Sequence, residues 1–153
     1  MSEEDYEIWV SRCRKSYADD KVRANGLTKE EAQKIARDDF NRLLPEGLKS
    51  KDSYLFTAKD DEQSIIGFIW FCIQQTGNNK RAFIYDIVVE EEYRGKGYGK
   101  RLMHFAEKKA QESGASRIGL HVFGFNQTAI QLYRSLGYET TDLVMEKNLS
   151  TDF

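Results

Sequence analysis

Apolar positions in the first third of the chain recur with helical spacing. Tyr6, Trp9, Val10, Cys13 and Tyr17 lie three or four apart with charges between them, which predicts an amphipathic helix that Asn25-Gly26 ends. Thr28-Lys29-Glu30-Glu31 then reads as a capping box, the Thr28 hydroxyl accepting from a forward N–H while the Glu31 carboxylate accepts from the Thr28 N–H. A second helix carries Ala32, Ile35, Ala36, Phe40, Leu43 and Leu44 on its buried stripe, and Pro45 with Gly47 stops it. The pattern then shifts to short apolar runs separated by turn residues. Residues 54–59 predict a strand, Asp60-Asp61-Glu62-Gln63 its turn, and 65–74 a longer strand. Thr76-Gly77-Asn78-Asn79 is the next turn and 81–90 the next strand, so three antiparallel strands follow one another.

Helical spacing returns at Tyr98, Leu102, Phe105, Ala106 and Ala110, and Gly114 suits the left-handed position past the helix end. Residues 117–123 read as a strand, and a strand–helix–strand unit of this length places its two strands parallel. Asn126 caps a last helix that runs to Leu136 and ends at Gly137, after which 138–149 supplies a closing strand or strand pair. The order ααβββαβαβ predicts an α+β fold: a mixed, mostly antiparallel sheet with a central parallel strand–helix–strand unit and helices on both faces.

Composition narrows the function classes. The 153 residues fit one domain, 1–153, able to bury a core without disulfides or metals. A net charge of −2 with interspersed signs argues against nucleic acid and anionic membrane as partners and leaves small molecules or proteins. The longest apolar run, 65–73, is far short of the roughly 20 residues that span a bilayer. Cys13 and Cys72 read as buried small hydrophobes, and with no leader-like segment at the N-terminus the expected compartment is the reducing cytoplasm. Two histidines and no Cys/His cluster make a metal site unexpected.

The chemistry concentrates in Arg94-Gly95-Lys96-Gly97-Tyr98-Gly99-Lys100-Arg101, between a β-like run and a helix. Glycine lets a turn present backbone N–H groups closely, and a helix N-terminus flanked by cations favours phosphate. It is not a P-loop, because Arg94 and Arg101 stand where Gly and Ser or Thr are required. Nor is it a dinucleotide loop, since Lys100 or Leu102 replaces the third small residue. A pyrophosphate cradle and a glycine-rich turn with a solvated basic rim both fit this stretch alone.

Three separated motifs together resemble the GNAT superfamily of acyl-CoA N-acyltransferases. The acyl-CoA loop pattern Q/R-x-x-G-x-G/A appears at Arg94 to Gly99, after the strand end Ile87-Val88-Val89. Downstream, N-x-x-A-x-x-x-Y-x-x-x-G-F/Y appears as Asn126, Ala129, Tyr133, Gly137 and Tyr138. The resemblance covers roughly residues 54–149 and implies acetyl-CoA as co-substrate, with a small-molecule amine or a peptide as acceptor and direct transfer in a ternary complex. It implies that N–H groups from Gly95 to Lys100 hold the pyrophosphate, with Arg94, Lys96, Lys100 or Arg101 near the phosphates. The backbone of Ile87, Val88 and Val89 would pair with the pantetheine amides, Asn126 would contact the cofactor, and Tyr133 would protonate the leaving sulfur.

The general base is the open role. In histone and arylalkylamine acetyltransferases it lies at positions matching Phe83 and Tyr85, neither of which is a base. Asp86 is next to Tyr85, where strand alternation points it to the other face for pairing or capping. In ribosomal-protein alanine acetyltransferases a Glu lies twelve residues before the catalytic Tyr, and the matching position here is His121. An imidazole of pKa about 6.5 suits proton removal, directly or through a water relay; a strand histidine satisfied by hydrogen bonds is the other reading. A non-catalytic acyl-CoA-sensing module and an ATP-binding enzyme remain alternatives. The family's usual short opening strand has little room in Met1 to Asp5, which leaves the sheet edge and a possible homodimer open.

Overall fold

The computed structural model describes residues 1–149. Its elements are α1 (Glu3–Asn25), α2 (Lys29–Leu43), β1 (Ser53–Lys59), β2 (Ile65–Thr76), β3 (Asn79–Val89), α3 (Tyr98–Glu112), β4 (Arg117–Leu120) and α4 (Gln127–Ser135), with 3-10 turns at Gly47–Lys49 and Glu91–Tyr93. Ser2 caps α1 by accepting from the Asp5 N–H, and Gly26 at φ +64° closes it. The capping box of α2 forms as its sequence predicts, with Thr28 N–H donating to Glu31 at 2.9 Å and Glu31 N–H donating to Thr28 at 3.2 Å.

The strands lie in the order β1-β2-β3-β4, the first three antiparallel and β3–β4 parallel. Alternation along β2 sends Phe68 and Trp70 to one face and Ile69 and Phe71 to the other. Trp9 and Val10 of α1 and Phe40 and Leu44 of the α2 end cover the first face, where Trp9 meets Trp70 edge-on at 5.5 Å. Leu102, Met103 and Ala106 of α3 cover the second. Because both faces are buried, β2 reads as an unbroken apolar run rather than an alternating one. Gly67 is required by close approach: a Cβ there would lie 2.2 Å from the Val88 carbonyl oxygen.

One irregularity decides what faces the site. Trp70 pairs with Asp86, but its neighbour Phe71 pairs with Ile84, so Tyr85 is an extra residue in β3. Such a bulge puts two successive side chains on one face. Tyr85 stacks on Trp70 at 4.7 Å, and Asp86, next along, accepts a 2.7 Å hydrogen bond from Trp9 Nε1. The alternation argument that sends Asp86 to the opposite face from Tyr85 therefore fails here.

As the little room in Met1 to Asp5 implied, no strand precedes α1; the Met1 amine donates to the Leu55 carbonyl at 3.4 Å. Two further expectations change. The strand expected over 117–123 stops at Leu120, where its pairing with β3 ends. Residues 138–149, expected as a closing strand or pair, form no ladder among the described residues, because a strand needs a neighbouring backbone and this segment has none. Residues 150–153 of the expected 1–153 domain lie outside the described residues.

Candidate active site

The parallel pairing of β3 with β4 covers only Arg81↔Arg117 to Ile84↔Leu120. Beyond Ile84 the pairing stops, because β4 itself ends at Leu120, and an open fork is left between β3 and the chain that follows β4. On that side the backbone of Tyr85 to Val89, including Ile87, Val88 and Val89, has no strand neighbour among the described residues, while its other side stays paired with β2 as far as Gly67↔Val89. The bulge at Tyr85 sits where the fork opens, consistent with the added bend a bulge gives a strand.

The chain crosses from β3 to α3 through the glycine-rich turn. Gly95 and Gly97 have φ +73° and +86°, and a Cβ on either would meet nothing within 4 Å. The turn is thus left-handed at two points and open on its outer side. Gly97 is the N-cap of α3 and supplies no side-chain cap, so the first-turn N–H groups of Tyr98, Gly99 and Lys100 lack the capping acceptor that Ser2 and Thr28 give α1 and α2. Arg94 turns back, its Nε donating to the Val89 carbonyl at 2.9 Å, which ties the turn to the end of β3. Lys96 and Arg101 lie over the rings of Tyr93 and Tyr98, at 5.8 and 5.4 Å. These are weak restraints on exposed cations.

Helix α4 completes the wall. A Cβ on Gly99 would come within 3.3 Å of Leu132 Cδ2, so the N-terminal turn of α3 abuts α4. Tyr133, on the same helix, packs against the cluster of Ile69, Phe71, Ile84, Leu102 and Met103 that also carries Ile87, Val89 and Leu120. Burial pushes the Tyr133 phenol above its ordinary range, and the negative charge of Asp86 adds to the shift. Asn126 caps α4, its Oδ1 accepting from the Ala129 N–H at 3.3 Å.

Comparisons to known proteins identify the family. The family model for acetyltransferase (GNAT) domains matches residues 11–138. The chain belongs to the GNAT acetyltransferase family. The Bacillus subtilis protein named uncharacterized N-acetyltransferase YycN is 37% identical over 149 residues, 97% of this chain and 96% of the relative. A second B. subtilis protein, uncharacterized N-acetyltransferase YdgE, is 30% identical over 97% of this chain and 95% of its own length. The crystal structure of YycN superposes with a TM-score of 0.91, covering 98% of this chain and 96% of that one. The chain is therefore an acyltransferase enzyme of the GNAT fold, with a mixed sheet and two helices packed on each face.

Within this acetyltransferase the remaining candidates separate. His121 stands immediately past the end of β4, exposed, with its ring edge-on to Phe123 at 4.9 Å. Among the described residues no hydrogen bond links it to Tyr133 or Asp86. Phe123 stacks on Phe125 at 5.4 Å, and the Arg23 guanidinium lies 3.9 Å over the Phe125 ring. An aromatic row thus runs from His121 to the last turn of α1. Asp86 is the residue that sequence reasoning set aside. Burial raises its carboxyl above the usual range, against the opposing effects of the Trp9 N–H, the Cys13 thiol and the Arg12 charge. Cys13 is pushed up in turn, by burial first and then by Asp86, so it is an inert thiol and not a nucleophile. No signal in the sequence marks a bulge at Tyr85, whereas an acidic residue inside an apolar strand was visible.

Among the described residues no helix is long and apolar enough to cross a membrane, and no group of His, Cys, Asp or Glu is placed to hold a metal ion.

Proposed function

We propose that the chain, taken as one catalytic domain, transfers an acetyl group from acetyl-CoA to a primary amine of a small molecule or peptide, directly and in a ternary complex. The observation that carries this reading is the fork beyond Ile84 lying beside an uncapped helix N-terminus. The turn from Gly95 to Lys100 offers N–H groups and positive charge to a pyrophosphate. The free edge at Ile87, Val88 and Val89 offers a β-ladder to the amides of the pantetheine arm, as an added strand would use it. The two features are consecutive in the chain, so one extended ligand engages both. Asn126, at the N-terminus of α4, borders the same opening in this reading.

The acceptor amine, near pKa ~10.4 when free, must lose a proton before or as it attacks the thioester carbonyl. The N–C bond forms, the carbonyl oxygen takes negative charge, and a backbone N–H near Val89 stabilises it. Collapse breaks the C–S bond, and Tyr133 donates its phenolic proton to the departing sulfur. A raised pKa suits that role, because the phenol stays protonated at neutral pH. His121 takes the amine proton through water. An amine acceptor is favoured by the thialysine N-epsilon-acetyltransferase of Sus scrofa, 31% identical over 48% of this chain and 44% of its own length.

Tyr133→Phe removes only the hydroxyl. We expect kcat to fall by about 10²-fold or more while the Kd for CoA, read by isothermal titration, changes little. Full activity in this variant would defeat the general-acid role. Binding of ATP without binding of CoA in the same titration would favour the nucleotide-enzyme reading instead.

A further inference from the structure

The far edge of the sheet lacks the cover that the rest of the molecule has. Helices α1, α2 and α3 each have several buried residues, whereas α4 has none, although Ile130, Leu132, Tyr133 and Leu136 give it an apolar stripe. Strand β4 likewise has no fully buried residue, and its partner on one side is β3 while its other side pairs with nothing among the described residues. Burial therefore falls away toward β4, as at a sheet that stops one strand early. The charges there are also unbalanced. Arg81 and Arg117 sit directly opposite in the β3–β4 register, like charges in a position where they repel, and neither has an acidic partner among the described residues. The Arg81 guanidinium lies along β4, 2.5 Å from the point a Cβ on Gly119 would occupy.

The chain carries the complement of that edge and leaves it unused. Residues 139–149 are free of helix and ladder, and Leu143, Val144, Met145 and Leu149 are 79–90% exposed. Four large apolar side chains on one short segment are an uncommon cluster to leave in water. Eight residues from Asp142 to Leu149 in extended form reach about 26 Å, more than the length of the four-residue β4. The segment carries Glu139, Asp142 and Glu146 against a single Lys147, an acidic balance that suits the paired arginines. It departs from a fixed point: the Tyr138 N–H donates to the Tyr133 carbonyl, and its hydroxyl donates to Glu107 of α3 at 3.1 Å. From there the segment forms no ladder with its own β4.

We propose that residues 142–149 add as a fifth strand to the free β4 edge of a second copy of this chain, which returns its own segment to the first. Each copy holds an unpaired segment and a free β4 edge, so reciprocal pairing closes about a twofold axis and satisfies both. It brings a carboxylate to Arg81 and Arg117 and covers the apolar stripe of α4, the helix that carries Tyr133.

Light scattering on the eluting full chain tests this at concentrations of tens of micromolar. We expect twice the chain mass, and the single-chain mass for the double variant Val144→Asp, Met145→Asp with its far-UV circular dichroism unchanged. A wild-type chain of single mass overturns the proposal, as does a double variant that stays dimeric. Cysteine pairing separates exchange from docking on the chain's own edge. A chain with Arg117→Cys is mixed with one carrying Asp142→Cys, Val144→Cys or Glu146→Cys in turn, and the pair is oxidised. At least one position is expected to give a disulfide between the two chains. If no position gives a disulfide between the two chains, while a chain carrying Arg117→Cys together with one of the segment cysteines closes one internally as a monomer, the exchange is wrong.

Discussion

At the scale of single residues, the unusual group is Asp86. It is a carboxylate held on the α1 face by Trp9 Nε1 at 2.7 Å, with a raised pKa caused first by burial. The sign of its effect on stability follows. A carboxyl whose folded pKa lies above the unfolded value near 3.9 binds its proton more tightly when folded, so stability is greatest below that unfolded value and declines as pH rises through the folded pKa. Asp86→Asn keeps an acceptor for Trp9 and removes the titration. The variant's melting temperature relative to wild type is expected to increase between pH 4 and neutrality, about the window this shift opens; a difference that does not change with pH would mean that folding leaves the Asp86 pKa where it is in the unfolded chain. The same variant tests Tyr133. Since the charge of Asp86 helps hold the Tyr133 proton, its removal should move the alkaline limb of kcat to lower pH. For His121, which has no hydrogen-bonded partner among the described residues, the expected result of His121→Ala is a lower kcat/KM in a profile run from about pH 6 to about pH 9. An unchanged profile would remove it from the mechanism.

At the scale of elements, the site depends on how β3 is held by β2. Gly67 lies where β2 crosses the last turn of the ladder, and its missing side chain is what lets the Val88 carbonyl approach. Gly67→Ala places a Cβ against a backbone atom that no rotamer change can move. We expect a cost of about 3 kcal/mol, as for other overpacked interiors, and a melting temperature lower by roughly 10 °C for a chain of this size. Thermal unfolding followed by circular dichroism measures it, and a shift of only a degree or two would mean the strands separate there without strain. The ion pairs on the surface matter less. Arg12 holds Glu90 at 2.8 and 3.2 Å, but the Arg12 side chain is 52% exposed, where such pairs contribute at most about 1 kcal/mol.

At the scale of the whole molecule, the first helix and the β4–α4 connection meet across the site. Arg23 in the last turn of α1 covers Phe125, and Phe125 stacks on Phe123 beside His121. This contact joins two parts of the chain that lie about a hundred residues apart. In the proposed reaction the acceptor enters from that side, because the cofactor fills the fork. Arg23→Ala is therefore expected to raise KM for an amine acceptor several-fold with KM for acetyl-CoA nearly unchanged, the loss of one cation–π contact of about 0.5–1 kcal/mol. Steady-state kinetics with both substrates varied would show it, and an equal rise in both KM values would place the contact in general stability.

How much was legible in advance depends on the range of the interaction. Helix caps, turns and strand periods are set by neighbours a few residues apart, so the capping box at Thr28, the glycine-rich turn at Gly95 to Gly99 and the order of elements through α4 were readable from local chemistry alone. The family motif was readable for the same reason, being three short patterns at fixed spacing. The extra residue at Tyr85 was not. A bulge depends on how two paired strands settle their register along their whole length, and no residue type at that position announces it. Only the folded sheet turns Asp86 toward Trp9 and ends the β3–β4 pairing at Ile84. The closing strand over 138–149 divides the two kinds of information. Its apolar composition was fixed by the sequence, but a strand exists only where another backbone completes its hydrogen bonds, and that depends on which edge is free to receive it.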